Sequence, residues 1–219
     1  MLKKDLNNFI IKNPLFELIP SDGHSATEIS KELLCRVSYA IKKILKIKES
    51  DSFYLLNIAN YKSQCNVRFI YDGILLDIEI KKAEKNAFLI EIFKYENRGL
   101  ELIYKIESPT SCLYLILKAY FCLIFLEKIK SELKAEIKFS ILNFSNLKMA
   151  LEGSYLVLTG LMDEKISFKI SRELEFLQSF SSRLELKVYD KKHCFNLSGD
   201  SQKTAVPIAD TIINEEICF

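Results

Sequence analysis

Val67-Arg68-Phe69-Ile70-Tyr71-Asp72-Gly73-Ile74-Leu75-Leu76-Asp77-Ile78-Glu79-Ile80 is the stretch that decides the fold class. Val67, Phe69 and Tyr71 alternate with Arg68 and Ile70, and beyond Asp72-Gly73 the positions Ile74, Leu76, Ile78 and Ile80 alternate with Asp77 and Glu79. Successive strand side chains point to opposite faces, so this period of two predicts strands with one buried and one wet face. Asp-Gly readily takes the positive φ angles of a two-residue hairpin turn, which makes the two strands antiparallel neighbours.

The same period extends outward. Phe53 to Ala59 reads as a preceding strand. Ala87 to Tyr95 and Leu100 to Ile106, joined by a turn at Glu96-Asn97-Arg98-Gly99, complete a meander of four or five strands. Upstream, Pro20-Ser21-Asp22-Gly23 marks a loop, and Ser25 with Glu28 has capping-box spacing. From Thr27 to Ile47 the residues Ile29, Leu33, Val37, Ile41, Ile44 and Leu45 recur at helical intervals, which predicts an amphipathic helix. Downstream, Ser108-Pro109 offers an N-cap and a proline at the first helical position for an apolar helix reaching about Leu133.

The second half is less regular. It predicts a strand at Glu136 to Ile141, a short helix at Asn143 to Leu151, and strands at Tyr155 to Thr159 and Lys165 to Ile170. A helix near Ser171 to Phe180 and strands at Leu184 to Tyr189 and His193 to Leu197 follow. The expected class is α+β: an antiparallel β-meander flanked by an N-terminal amphipathic helix and a long buried helix, with a second, smaller α+β segment. The expected organisation is an N-terminal segment 1–24, a globular body 25–198 with a subdomain boundary near 134, and a C-terminal tail 199–219. No sequence period marks the halves as a duplication.

Composition narrows the function classes. The 219 residues are 49% hydrophobic and 27% charged, within the globular range. Thirty-one Lys+Arg against 29 Asp+Glu leave a formal charge of +2, too little to hold a polyanion by a whole-molecule field, so no nucleic-acid partner is expected. Cys35, Cys65, Cys112, Cys122, Cys194 and Cys218 contain no CxxC pair and read as reduced thiols in a cytoplasmic protein, with no disulfide and no zinc. Asp5, Asn7 and Asn8 interrupt the apolar run that a signal peptide needs. Cys112 to Leu126 is apolar except for Lys118, but it is short for a span and that lysine is costly in lipid, so a buried helix is expected.

Asp72 followed by Glu79-Ile-Lys81 has the residue types of a metal-dependent nuclease. However, Asp72 lies in the turn and Glu79 lies seven residues along the strand, more than about 20 Å away. The position facing Glu79 across the hairpin is near Asn66, which is not acidic. His193 and Cys194 are adjacent and so point to opposite faces of a strand, and His24 lies in a loop. Gly153 and Gly160 lack the Lys-Ser/Thr of a phosphate loop. Arg36, Lys42, Lys43, Lys46 and Lys48 make one helix basic, which reads first as a solvated face and second as a contact for anionic lipid or RNA. No metal, cofactor or small-molecule ligand is expected.

What remains is protein binding. The tyrosines are spread along strands and helices, a residue type favoured at interfaces. The helix, meander, helix order over about residues 25–135 is similar in outline to the small α+β chaperones and adaptors of bacterial secretion systems. That resemblance implies a non-catalytic subunit that holds another polypeptide. The expected interface is the free face of the meander, at Phe69 and Tyr71 or their alternates Arg68 and Ile70. The runner-up is the tail, through Ile208, Ile212, Ile213 and Phe219. An enzyme with a dispersed site, or a translocated effector hinted at by Glu215-Glu216, is the alternative.

Overall fold

The Asp72-Gly73 turn closes the hairpin as expected. Both residues have positive φ, 50° and 77°, the pattern of a type I′ turn whose twist matches the strands it joins. Ser52 holds the turn, its carbonyl accepting from Asp72 N–H at 2.8 Å and its hydroxyl from Gly73 N–H at 3.2 Å. The computed structural model describes residues 18–19, 31–45, 47, 50–61, 63–84, 87–97, 99–136, 144–163, 166–174, 182–188, 191–197 and 202–217. The chain is α+β, and the described residues divide into two compact units, Met1–Ile116 and Leu117–Phe219.

The first unit contains helix α1 (Lys31–Leu45) and strands β1 (Phe53–Tyr61), β2 (Gln64–Tyr71), β3 (Ile74–Lys82), β4 (Phe88–Glu96) and β5 (Gly99–Ser108), each strand antiparallel to the next. Leu34, Val37, Ala40, Ile41 and Leu45 of α1 are buried, as are Val67, Phe69, Leu76, Ile78, Ile80, Ile90, Ile92 and Ile106 of the sheet. Ser38 ties the helix to the outermost strand: its hydroxyl donates to Phe53 O and accepts from Leu55 N–H, both at 3.4 Å. A helix laid on an edge in this way satisfies backbone groups that would otherwise invite another strand. The capping box at Ser25 and Glu28 lies outside the described residues. Leu18 and Ile19, expected in a separate N-terminal segment, are buried in this unit, with Ile19 exchanging hydrogen bonds with the Ser111 hydroxyl.

Helix α2 (Leu113–Glu136) starts later than the Ser108-Pro109 cap predicts. The Ser108 hydroxyl is spent on Thr110, whose own hydroxyl accepts from Cys112 N–H at 3.1 Å, so Pro109 sits in a turn before the helix. The second unit continues with β6 (Ser145–Glu152), β7 (Tyr155–Asp163), β8 (Ile166–Glu173), β9 (Ser182–Val188), β10 (Lys191–Asn196) and helix α3 (Gln202–Ile217), the strands again forming an antiparallel meander. Three expectations are corrected here. Asn143 to Leu151 is not a helix: Ser145 onward is strand, because Leu147 and Met149 bury on one face while Lys148 stays wet, and Gly153 (φ 58°) turns the chain into β7. Ser171 to Glu173 closes β8 rather than opening a helix, and residues 175–180 lie outside the described set, as do 137–141. Residues 202–217 are a helix, not a tail: Ala205, Ile208, Ala209 and Ile212 bury one stripe, and Pro207 stands inside the helix, where it can donate no backbone hydrogen bond.

The two units repeat one plan. Strand starts correspond at a nearly constant interval: Phe53 and Ser145, Gln64 and Tyr155, Ile74 and Ile166, Gly99 and Lys191. At that interval the buried residues Leu113, Ile116, Leu117 and Tyr120 correspond to the buried Ala205, Ile208, Ala209 and Ile212 of α3. Leu34 and Val37 of α1 correspond in turn to Leu126 and Ile129. Helix α2 thus carries positions equivalent to both the closing and the opening helix of the plan, and most of its apolar residues from Leu113 to Leu126 are buried. No helix among the described residues is long and apolar enough to cross a membrane. At Gly160 a side chain would meet Leu147 at 2.7 Å and the Phe168 ring at 3.0 Å, so the glycine makes room for that ring.

Candidate functional site

The outward face of the first meander carries the densest polar chemistry. In register across the sheet, Asn66 faces Glu79 and Glu79 faces Glu91, which in turn faces Lys105. The neighbouring row sets Arg68 against Asp77. Lys81 Nζ lies 2.8 Å from Glu79 and 2.7 Å from Glu91, and Lys105 lies 3.6 Å from Glu91. The hydrogen bond from Lys81 holds the Glu91 carboxyl below its ordinary range against the opposing effect of burial, and the bonds to Glu79 and then Glu91 raise the Lys81 amine. Both groups stay charged and paired near neutral pH, which suits a fixed ion-pair lattice and not a proton shuttle. The Glu79–Glu91 juxtaposition escaped the sequence reading because it depends on the register of β4 against β3. The Asn66–Glu79 facing it predicted is correct.

Asp77 is buried beneath Arg68, which donates to both of its carboxylate oxygens at 2.9 Å, and Tyr95 OH donates to it at 2.8 Å. The Arg68 guanidinium also lies over the Tyr95 ring, 5.2 Å from its centroid. A bidentate pair completed by a phenol satisfies a buried carboxylate fully, and it orients Arg68 and Tyr95 as one plate on the sheet.

Beyond that plate the face turns apolar. A bulge between Ile92 and Phe93 shifts the register of β5, so that Tyr104 opposes Ile92 in the core whereas Leu102 opposes Phe93 and Leu100 opposes Tyr95 on the outward face. Leu100 is 53% and Leu102 47% exposed. The interface expected at Phe69 is not placed there: Phe69 lies fully in the core against Phe53, and Tyr71 is half-buried on that same side. The alternates Arg68, exposed, and Ile70, half-buried, take the outward face. Ile208 and Ile212 are buried and Ile213 is half-buried. Phe219 lies outside the described residues.

The remaining candidates stay apart. Cys194 faces Glu185 and His193 faces Leu186, on opposite faces of β10 as adjacency requires, and Arg183 donates to the Cys194 sulfur at 3.4 Å. Cys35, Cys65, Cys122 and Cys194 are thiols. Among the described residues no three His, Cys, Asp or Glu side chains gather as a metal site would need. No family model and no curated protein sequence matches the chain.

Proposed function

We propose that this protein is a non-catalytic adaptor that holds another polypeptide on the outward face of its first meander. The observation that carries the reading is the pair Leu100 and Leu102, half exposed on strand β5 beside Phe93 and Tyr95 and bordered by side chains already committed to ion pairs. Exposed apolar groups on a rigid sheet, rimmed by satisfied polar groups, make the usual anatomy of a protein-binding patch. The helix, meander, helix order over about residues 25–135 supports the same reading through its likeness in outline to secretion chaperones and adaptors. A cytoplasmic subunit of a multiprotein assembly is the setting that likeness implies.

The test is recovery of the native complex. Tagged protein in its own cell should bring down a stoichiometric polypeptide, and the double substitution Leu100→Ser/Leu102→Ser should lose it. Because both side chains are half exposed, urea stability should fall by less than about 2 kcal/mol, leaving the variant folded. Failure to recover any stoichiometric protein, together with turnover of a small molecule by the purified chain, overturns the reading in favour of a dispersed-site enzyme.

A further inference from the structure

Among the described residues, the cations of helix α1 have no carboxylate partner. Arg36, Tyr39 and Lys43 fall three and four positions apart on one helical face, and Lys42 turns toward β1. The only acid in the helix is Glu32. Lys42 Nζ lies 5.6 Å from the centroid of the Tyr54 ring and Lys43 Nζ lies 5.5 Å from that of Tyr39, with no carboxylate within ion-pair distance of Arg36, Lys42 or Lys43 among the described residues. Both tyrosines are more than half exposed, and Leu56 beside Tyr54 on β1 is also exposed. On the sheet faces, by contrast, Arg68, Lys81, Lys94, Lys169 and Lys192 each have a carboxylate. Among the described residues these sheet cations are paired with carboxylates and the cations of the ridge are not.

We propose that the ridge formed by Arg36, Tyr39, Lys42 and Lys43 with Tyr54 and Leu56 is a docking site for a short acidic segment of a partner protein. The span from Arg36 to Lys43 is about 10 Å of helix, the reach of three or four extended residues. Nucleic acid is held by basic fields that extend over many phosphates, which a formal charge of +2 does not supply, and anionic lipid is read by clusters of about four to eight Lys/Arg, where this ridge presents Arg36, Lys42 and Lys43 alone. Exposed Tyr39 and Tyr54 beside the lysines, with Leu56 two residues along β1 from Tyr54, provide apolar contact for residues flanking the acids, which a polypeptide has and a phosphate backbone lacks. The ridge shares no residue with the Leu100–Leu102 patch, so each surface stands or falls on its own variants.

The experiment is fluorescence anisotropy on the full chain, using a labelled peptide of repeated Glu-Asp-Leu-Glu units at about 0.15 M salt. A lysine-for-acid peptide, polyuridine RNA and phosphatidylserine vesicles serve as rival probes. The acidic peptide should bind best, and its affinity should fall as salt rises. Arg36→Gln/Lys42→Gln/Lys43→Gln should weaken it by about tenfold or more, and Tyr39→Ala/Tyr54→Ala by about threefold or more at unchanged charge. Lys82→Gln/Lys105→Gln/Lys169→Gln removes equal charge elsewhere and should change it by less than about twofold, as should Leu100→Ser/Leu102→Ser. Absence of binding, equal loss in the two lysine-rich triple variants, no effect of the tyrosine substitutions, or tighter binding of RNA or vesicles overturns the proposal. If the α1 triple variant loses its helical circular dichroism, the tyrosine pair and the salt series on the unaltered protein decide.

Discussion

Phe69→Ala should destabilise the protein by about 3–5 kcal/mol, the usual cost of emptying a phenyl group from a core that cannot collapse around the gap. Phe69 has no exposed surface, its ring centroid lies 5.7 Å from that of Phe53, and its strand neighbours in register are Leu55 and Leu76, both buried. Equilibrium urea unfolding measures the loss, with Leu102→Ala as the reference at a side chain that is 47% exposed and should cost less than about 1 kcal/mol. A Phe69→Ala protein of unchanged stability that no longer retains its partner would show that the ring faces outward and that the assignment of faces is inverted.

The reason Phe69 is ambiguous in the sequence is specific. Val67-Arg68-Phe69-Ile70-Tyr71 has an apolar residue at four of five positions, so the period of two sets the alternation without saying which phase faces the core. Arg68 decides it, and only through Asp77 and Tyr95 on two other strands. The bulge in β5 hides in a similar way. Leu100, Leu102, Tyr104 and Ile106 alternate without a break in the sequence, yet the register shift opposite Ile92 and Phe93 sends the first two outward and keeps the last two buried. Pairing geometry between strands carries that information, and no single strand contains it.

The hairpin at Asp72-Gly73 was legible because turn chemistry is local. The second meander was less so: its strands are shorter, β6 begins with Ser145 and Asn146, and the latter takes a positive φ of 52° at an irregular pairing. Helix α3 was hidden by Pro207 and by the Gly199-Asp200-Ser201 run ahead of it. The repeat itself left no readable period because equivalent core positions exchange bulk freely. Tyr120 corresponds to Ile212 and Leu113 to Ala205, and burial is kept while identity is not.

Lys118→Met should stabilise the protein at neutral pH, and the gain should shrink as the solution becomes alkaline. Lys118 is 4% exposed on α2, and its amine donates to the Glu173 carbonyl. Burial, reinforced by the nearby Arg172 charge, pushes its pKa down to about 8. An unfolded lysine titrates near 10.4, so between these values the unfolded chain holds a proton that the folded chain has released. Stability attributable to this group therefore rises from about pH 8 to pH 10.4, and below pH 8 the whole cost of the buried charge, on the order of 3 kcal/mol, is present. Methionine fills a similar volume without the charge but leaves the Glu173 carbonyl short of one donor, so the net gain at pH 7 should be about 1–2 kcal/mol. Cys65 and Tyr71, each raised by burial to about 12, work in the opposite direction, because the folded chain keeps protons that the unfolded chain loses above roughly pH 9. Their contribution is common to both proteins and cancels in the difference. Urea midpoints for the two proteins at pH 7 and pH 10 should thus show the variant ahead at pH 7 and level with or behind the parent at pH 10. A gap that stays constant across that range would mean that Lys118 titrates as a solvated lysine and that this side of α2 is open to water.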